Sequence, residues 1–254
     1  MVGDDSRDLV STAFDAGRRA VLALDTASPR VSVAVAYGDR VLAQAEGAQR
    51  ESSTQLMSWI DSVLAESGLR LGDLAGAVAA SGPGSFTGLR IGLATLLGFH
   101  QAIGLRVTGI PTLTLLAAAA PSAQRVATLV PAGPSEWFVQ TYATGWPPAP
   151  LGGPRRLPAA DLAAELPVTL DPTRTGALDG LVVATADEAA RLAHLPWPVH
   201  VAGPLAPIAA RLASLHPPAW DASALSAPLY LAPAPVTVPG APKPVLPLGE
   251  GARR

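Results

Sequence analysis

The side chains best suited to chemistry are few, and they fall in two short stretches. Asp25 and Thr26 follow the apolar run Val21-Leu22-Ala23-Leu24. A carboxylate and a hydroxyl at the end of a buried strand could meet magnesium-bound phosphate. An Asp in that place also serves as a turn former or a cap partner, and the sequence leaves both uses open. The second stretch, Ser81-Gly82-Pro83-Gly84-Ser85-Phe86-Thr87-Gly88, sets Ser85, Thr87 and Arg90 among glycines at the start of a helix. Free N–H groups at a helix N-terminus attract anions. The stretch nevertheless lacks the Lys-Ser/Thr ending of a P-loop and the full dinucleotide fingerprint. The plainer alternative is a tight strand-to-helix turn. Gly88 and Gly92 lie four apart on one helix face and would let another backbone come close.

Other reaction types find no support. Gly-Ser-Phe-Thr-Gly at 84–88 places its serine wrongly for a Gly-x-Ser-x-Gly elbow. The chain has no cysteine, which excludes a thiol nucleophile, a zinc ribbon and a disulfide framework. His100, His194, His200 and His216 have no i, i+4 spacing, so no metal site is assigned. No catalytic residue and no cofactor are expected. A net charge of −2 gives no electrostatic footprint for nucleic acid, so any RNA would be held by a partner.

These residues need a scaffold, and 254 residues with 49 % hydrophobic and 15 % charged content can build one. Val31, Val33 and Val35 alternate up to Gly38-Asp39, and Val41-Leu42-Ala43 resumes beyond, which predicts a hairpin after the first strand. Ser52 or Ser53 is the expected cap of a helix carrying Leu56, Met57, Ile60, Val63 and Leu64, stopped at Gly68. Trp59 adjoins that stripe, either as core or as an interface anchor. A strand at 77–80, a helix from the glycine-rich turn to Ile103 and a strand at 106–110 complete a βββαβα order. That order fits a mixed sheet covered by helices, as in ribonuclease-H-like lobes.

After Pro111 the pattern weakens. Strands are expected at 126–130 and 137–142, and short elements at 187–194 and 205–216. Twenty of the 26 prolines lie from Pro147 onward, so this half is expected to be irregular. No internal sequence repeat is visible. The division that follows is an extension at 1–19, a first lobe at 20–110, a degenerate second lobe at 111–232 and a Pro-rich tail at 233–254. Residues 1–19 carry four aspartates and no hydrophobic run typical of a leader. No window reaches the roughly 20 apolar residues that span a bilayer. A cytoplasmic location is expected.

Leu22-Ala23-Leu24-Asp25-Thr26-Ala27, and the longer run from Gly82 to Gly92, resemble the bacterial TsaB proteins. The likeness runs from Ala20 to Leu115 and returns faintly at 227–231. It implies a two-lobed α/β fold of the actin, sugar-kinase and Hsp70 superfamily, the second lobe degenerate. It also implies a non-catalytic subunit that pairs with TsaD and, with TsaE, supports threonylcarbamoyl transfer to adenosine 37 of tRNA. A homodimer is a further implied state. By position, the docking face would lie on the helices at 53–67 and 85–103, with Leu56, Trp59, Val63, Arg90, Leu93 and Leu97 as contacts. If Gly109-Ile110 marks the matching step, Thr112 and Leu116 stand where the catalytic paralogue has metal-binding histidines, and leucine cannot ligate a metal.

The chain departs from the family in several places. Ser52 and Ser53 replace a His-Thr or His-Ser pair. Pro131-Ala132-Gly133 and Glu136-Trp137-Phe138 replace two second-lobe motifs, and Ala232 replaces a late arginine. The competing reading is a small actin-like ATPase or phosphotransferase that uses Asp25, Thr26 and the loop 84–88.

Overall fold

Val21–Asp25 (β1) is buried along its whole length, as a central strand must be. Arg30–Tyr37 (β2) and Arg40–Ala48 (β3) continue antiparallel to it. Gly38 takes φ of 60° in the turn between them, a conformation that glycine adopts without strain. Gly76–Ala80 (β4) and Val107–Ile110 (β5) add in parallel, giving the order β3-β2-β1-β4-β5. The computed structural model describes residues 20–121, 124–166 and 178–226. The expected extension at 1–19 and tail at 233–254 lie outside these residues, as do 227–231 and Ala232.

Two helices make the crossovers of this sheet. Ser52–Ser67 (α1) buries Leu56, Ile60, Val63 and Leu64 against it, and Gly68 closes it at φ of 69°. Its first turn differs from expectation. A 3-10 turn at Gln49–Glu51 runs into the helix, Glu51 is the N-cap residue, and no side chain caps it. In Phe86–Ile103 (α2), by contrast, Ser85 Oγ accepts from Gly88 N at 3.2 Å.

Thr112–Ala119 (α3) follows β5 directly. Its sequence, TLTLLAAA, gave no helical signal because a helix buried nearly all round has no amphipathic period. The second sheet comprises Arg125–Pro131 (β6), Glu136–Ala143 (β7), Ala149–Pro150 (β8), Arg155–Pro158 (β9), Gly180–Val183 (β10) and Val199–Val201 (β11). β7 is antiparallel to β6, whereas β10 and β11 extend the sheet in parallel on the other side. β6, β7, β10 and β11 therefore stand to one another as β1, β2, β4 and β5 do. The two sheets share one strand plan, as two ribonuclease-H-like lobes do. Where the first lobe has the nine-residue β3, the second has only the short β8 and β9, in a stretch rich in proline.

Leu162–Glu165 (α4), Ala186–Leu192 (α5) and Leu205–Leu215 (α6) complete the described helices. α6 leaves the second sheet and packs on β1 and β2 of the first. Ser32 Oγ accepts from Ala206 N at 3.1 Å, and Ser214 Oγ accepts from Gly38 N at 2.6 Å. One hydrophobic core joins the first sheet, α1 to α3, α6 and the inner face of the second sheet through Val126, Val130 and Phe138. A second core lies under the outer face, around Leu129, Trp137 and Leu181.

Candidate functional site

The two stretches singled out above meet at the C-terminal ends of β1 and β4, as the parallel pairing of those strands requires. Asp25 is fully buried there. Its Oδ1 accepts from Ala27 N at 3.0 Å and from Ser28 N at 3.2 Å, while Oδ2 has no partner in the fold. Burial pushes the carboxyl up from 3.8 to about 6, against hydrogen bonds from Ser28 and Ala27 that pull it down. Asp25 thus orders the turn that follows β1, the plainer of its two expected uses.

Thr26 is equally committed. Its Oγ1 donates to the Gly88 carbonyl at 2.7 Å. A Cβ on Gly88 would run into the Thr26 carbonyl oxygen, and one on Gly92 into Thr26 Oγ1. Gly84 is held in the same way, since a Cβ there would stand 2.6 Å from the Ala27 carbonyl oxygen. The glycines at 88 and 92 therefore exist for the approach of α2 to the β1 turn. They face inward, and the backbone that comes close to them is that of the β1 turn.

Between the lobes lies a cleft of about 250 Å³. Ala27, Ser28, Gly84 and Ser85 border it from the first lobe, Thr112 from the start of α3, and Pro131 and Glu188 from the second lobe. Of the four residues expected to meet phosphate, only Ser85 lines it. Asp25 and Thr26 are buried behind the turn, and Thr87 is exposed on the first turn of α2. Glu188 Oε2 accepts from Ala184 N at 2.9 Å and Thr185 N at 3.2 Å, and burial raises its carboxyl above the ordinary value. Among the described residues, no Lys, Arg or His lines the cleft.

The outer surface of α1 and α2 has a different make-up. Leu56, Val63 and Leu93 were expected as contacts, but all three point into the core, at 3 %, 0 % and 3 % exposure. Trp59 is half-buried with its ring over Gly47 of β3, where a Cβ would strike it. Leu97 is half-buried, and Arg90 is exposed with its guanidinium 3.7 Å from the centroid of the Phe86 ring. Among the residues that face outward are Met57, half exposed, Ala94 and Gly98 along α2 and Ile103 at its end, beside polar groups such as Gln55, Ser58 and Asp61 on α1. Helical spacing gave the stripe but placed the outward side about one residue off. The missed signal is the run of small residues at 94, 98 and 102, too short to fill a core.

Comparison with known proteins bears on this surface. A family model described as TsaD, tRNA N6-adenosine threonylcarbamoyltransferase, matches residues 38–145. Over 100 residues the chain is 39 % identical to a protein of Haemophilus influenzae named tRNA threonylcarbamoyladenosine biosynthesis protein TsaB. Its identity to the Escherichia coli protein of that name is 35 % over 97 residues. Over that stretch the chain resembles proteins named TsaB. The alignments cover 39 % and 38 % of this chain, and the chain spans 42 % of the length of each of those curated relatives. YeaZ from Pseudomonas aeruginosa superposes with a TM-score of 0.61 at 24 % identity, over 78 % of this chain and 90 % of that one, and so shares the fold.

The two motifs quoted from the sequence are the β1 turn and the start of α2, locked together by Thr26 and Gly88. Thr112 begins α3 at the rim of the cleft, and Leu116, one turn later, is fully buried in the core.

Proposed function

We propose that this chain is a non-catalytic subunit in the formation of threonylcarbamoyladenosine on tRNA, pairing with TsaD and, through that pair, with TsaE. The transfer to adenosine 37 then takes place on the partner, and tRNA meets this chain only indirectly. The observation that carries the reading is the likeness to proteins named TsaB over about 100 residues, beside the TsaD family model that matches residues 38–145, a stretch that holds α1 and α2. Two features of the surface support it. The outward side of α2 offers Ala94 and Gly98, small enough for a partner helix to approach closely, and α1 exposes Met57. The fold also spends Asp25 and Thr26 internally, which leaves the competing phosphotransferase reading without its two principal groups.

The test is light scattering after size-exclusion chromatography, on the chain alone and mixed with TsaD of the same organism. The wild type is expected to form a 1:1 complex. Gly98→Arg should remain folded, because no atom lies within 4 Å of a Cβ at that position, and should lose the complex. Absence of a complex under every nucleotide condition would overturn the proposal.

A further inference from the structure

The segment that follows α6 runs along the β5 edge of the first sheet. Trp220 is half-buried near the N-terminal end of β5, with its ring 2.6 Å from where a Cβ on Gly76 would stand and 5.4 Å from the Arg106 guanidinium. The 3-10 turn Ala222–Leu225 then packs on β5 and α2. Leu225, 2 % exposed, reaches the other end of that strand, 3.6 Å from where a Cβ on Gly109 would stand. Between Trp220 and Leu225 the chain has thus passed from the N-terminal to the C-terminal end of β5, the side of the sheet on which the inter-lobe cleft opens. Thr112, on the rim of that cleft, follows Gly109 by three residues, a span of at most about 10 Å, and its N–H donates to the Gly82 carbonyl at 2.8 Å.

Both lobes present accessible apolar surface to the cleft. Pro29 is exposed on the first-lobe side, Pro131 and Ala184 are half-buried on the second-lobe side, and Pro83 and Val130 lie behind them. A cleft of about 250 Å³ lies below the range that holds drug-sized ligands, which suits the entry of a single large side chain. From Ser226 the chain continues as Ala227-Pro228-Leu229-Tyr230-Leu231. Tyr230 is four residues beyond Ser226, a reach of about 13 Å, enough to bring it from the end of β5 to the cleft. In an extended chain its ring points away from the side chains of Leu229 and Leu231 and can enter alone. An aromatic ring with a hydroxyl at its tip suits walls that are apolar below a wet mouth.

We propose that residues 227–231 turn over the end of β5 and seat the Tyr230 ring in the inter-lobe cleft, against Pro29 of the first lobe and Pro131 and Ala184 of the second. The cleft is then filled by the chain itself, and the contact ties the two lobes together. The assignment does not rest on the docking reading.

NMR on the full chain tests it. The Tyr230 ring protons are expected to show NOEs to the side chains of Pro29 and Pro131. Tyr230→Ala should shift the amides of Ser28, Gly84 and Ala184, whereas Leu246→Ala, farther along the chain, should leave them in place. Pro29→Asp retains the carbonyl that accepts from Gln49 N and sets a charge on the cleft wall. It should release the segment, so that the amides of Leu229, Tyr230 and Leu231 exchange about tenfold faster than in the wild type. Ring contacts to α2 in place of the two prolines, contacts that vanish on dilution and so come from a second copy, or cleft amides unmoved by Tyr230→Ala would each overturn the proposal.

Discussion

Thr26 and Gly88, 62 residues apart in sequence, hold the first lobe together at a single point. The threonine hydroxyl donates to the glycine carbonyl at 2.7 Å, and the glycine hydrogen occupies the space a Cβ would need against the threonine backbone. Neither partner can give way cheaply, because Thr26 follows a buried central strand and Gly88 lies in the first turn of α2. Gly88→Ala is therefore expected to cost more than about 3 kcal/mol, at the high end for a single methyl group. Gly92→Ala, which meets the hydroxyl instead of the carbonyl, should cost less and should also break the Thr26 hydrogen bond. Urea denaturation of both variants checks the order. Equal, small losses would mean that α2 can shift away from the turn.

Gly98 lies ten residues along the same helix from Gly88 and behaves oppositely. Its Cβ position is open, so nothing in the fold requires glycine there. Gly98→Ala should raise stability by about 1 kcal/mol, the helix propensity difference between the two residues. A glycine at an open helix position, where it costs stability, fits a role for its small size outside the folded chain. The pairing experiment with Gly98→Arg addresses that role, and thermal denaturation of Gly98→Ala addresses the propensity.

Asp25 gives a pH dependence with a defined sign. Its carboxyl titrates near 3.8 when unfolded and at about 6 when folded, so the folded chain binds more protons between those values. Stability from this group is greatest below the lower value and falls as pH rises through 6. The loss is on the order of 3 kcal/mol, and smaller where the turn relaxes around the charge. Asp25→Asn keeps an acceptor for Ala27 N and Ser28 N and has no charge to bury. The difference in unfolding free energy between wild type and variant should therefore change between pH 4 and pH 7 and be flat above. Comparing the two proteins also cancels the parallel contribution of Glu188, whose carboxyl is raised for the same reason. A difference that is flat throughout would show that Asp25 is not desolvated.

The first lobe was legible because its signals are local. Val31, Val33 and Val35 alternate, Gly38 and Gly68 sit where φ is positive, and Ser85 precedes a helix it caps. The second lobe repeats the same strand order with almost none of those markers. Pairing of β6 with β10 spans some fifty residues of sequence, and register across such a distance is set by packing and not by any neighbouring residue. The site was half legible. Types and spacing found Asp25, Thr26 and Gly88, but which face of Asp25 was desolvated, and that Thr26 was spent on Gly88, depend on the crossing of α2 over the β1 turn. Glu188 carried no sequence signal beyond a capping box with Thr185, and only the second sheet brings it to the cleft.

α6 makes a separate prediction about how the lobes divide. The helix comes late in the chain yet is pinned to β2 near each end, by Ser32 Oγ on Ala206 N and by Ser214 Oγ on Gly38 N. Removing either hydroxyl leaves a buried backbone N–H without its partner, so Ser32→Ala and Ser214→Ala should each cost about 1–3 kcal/mol. The two pins sit at opposite ends of an 11-residue helix, a span of about 15 Å, and share no partner. Their effects should then add to within about 0.5 kcal/mol in the double variant. Additivity in one cooperative transition would mean that α6 unfolds with the first sheet. A second, earlier transition in the double variant would mean instead that α6 detaches and moves with the second lobe, and the lobe boundary would then fall before the helix in space as well as in sequence.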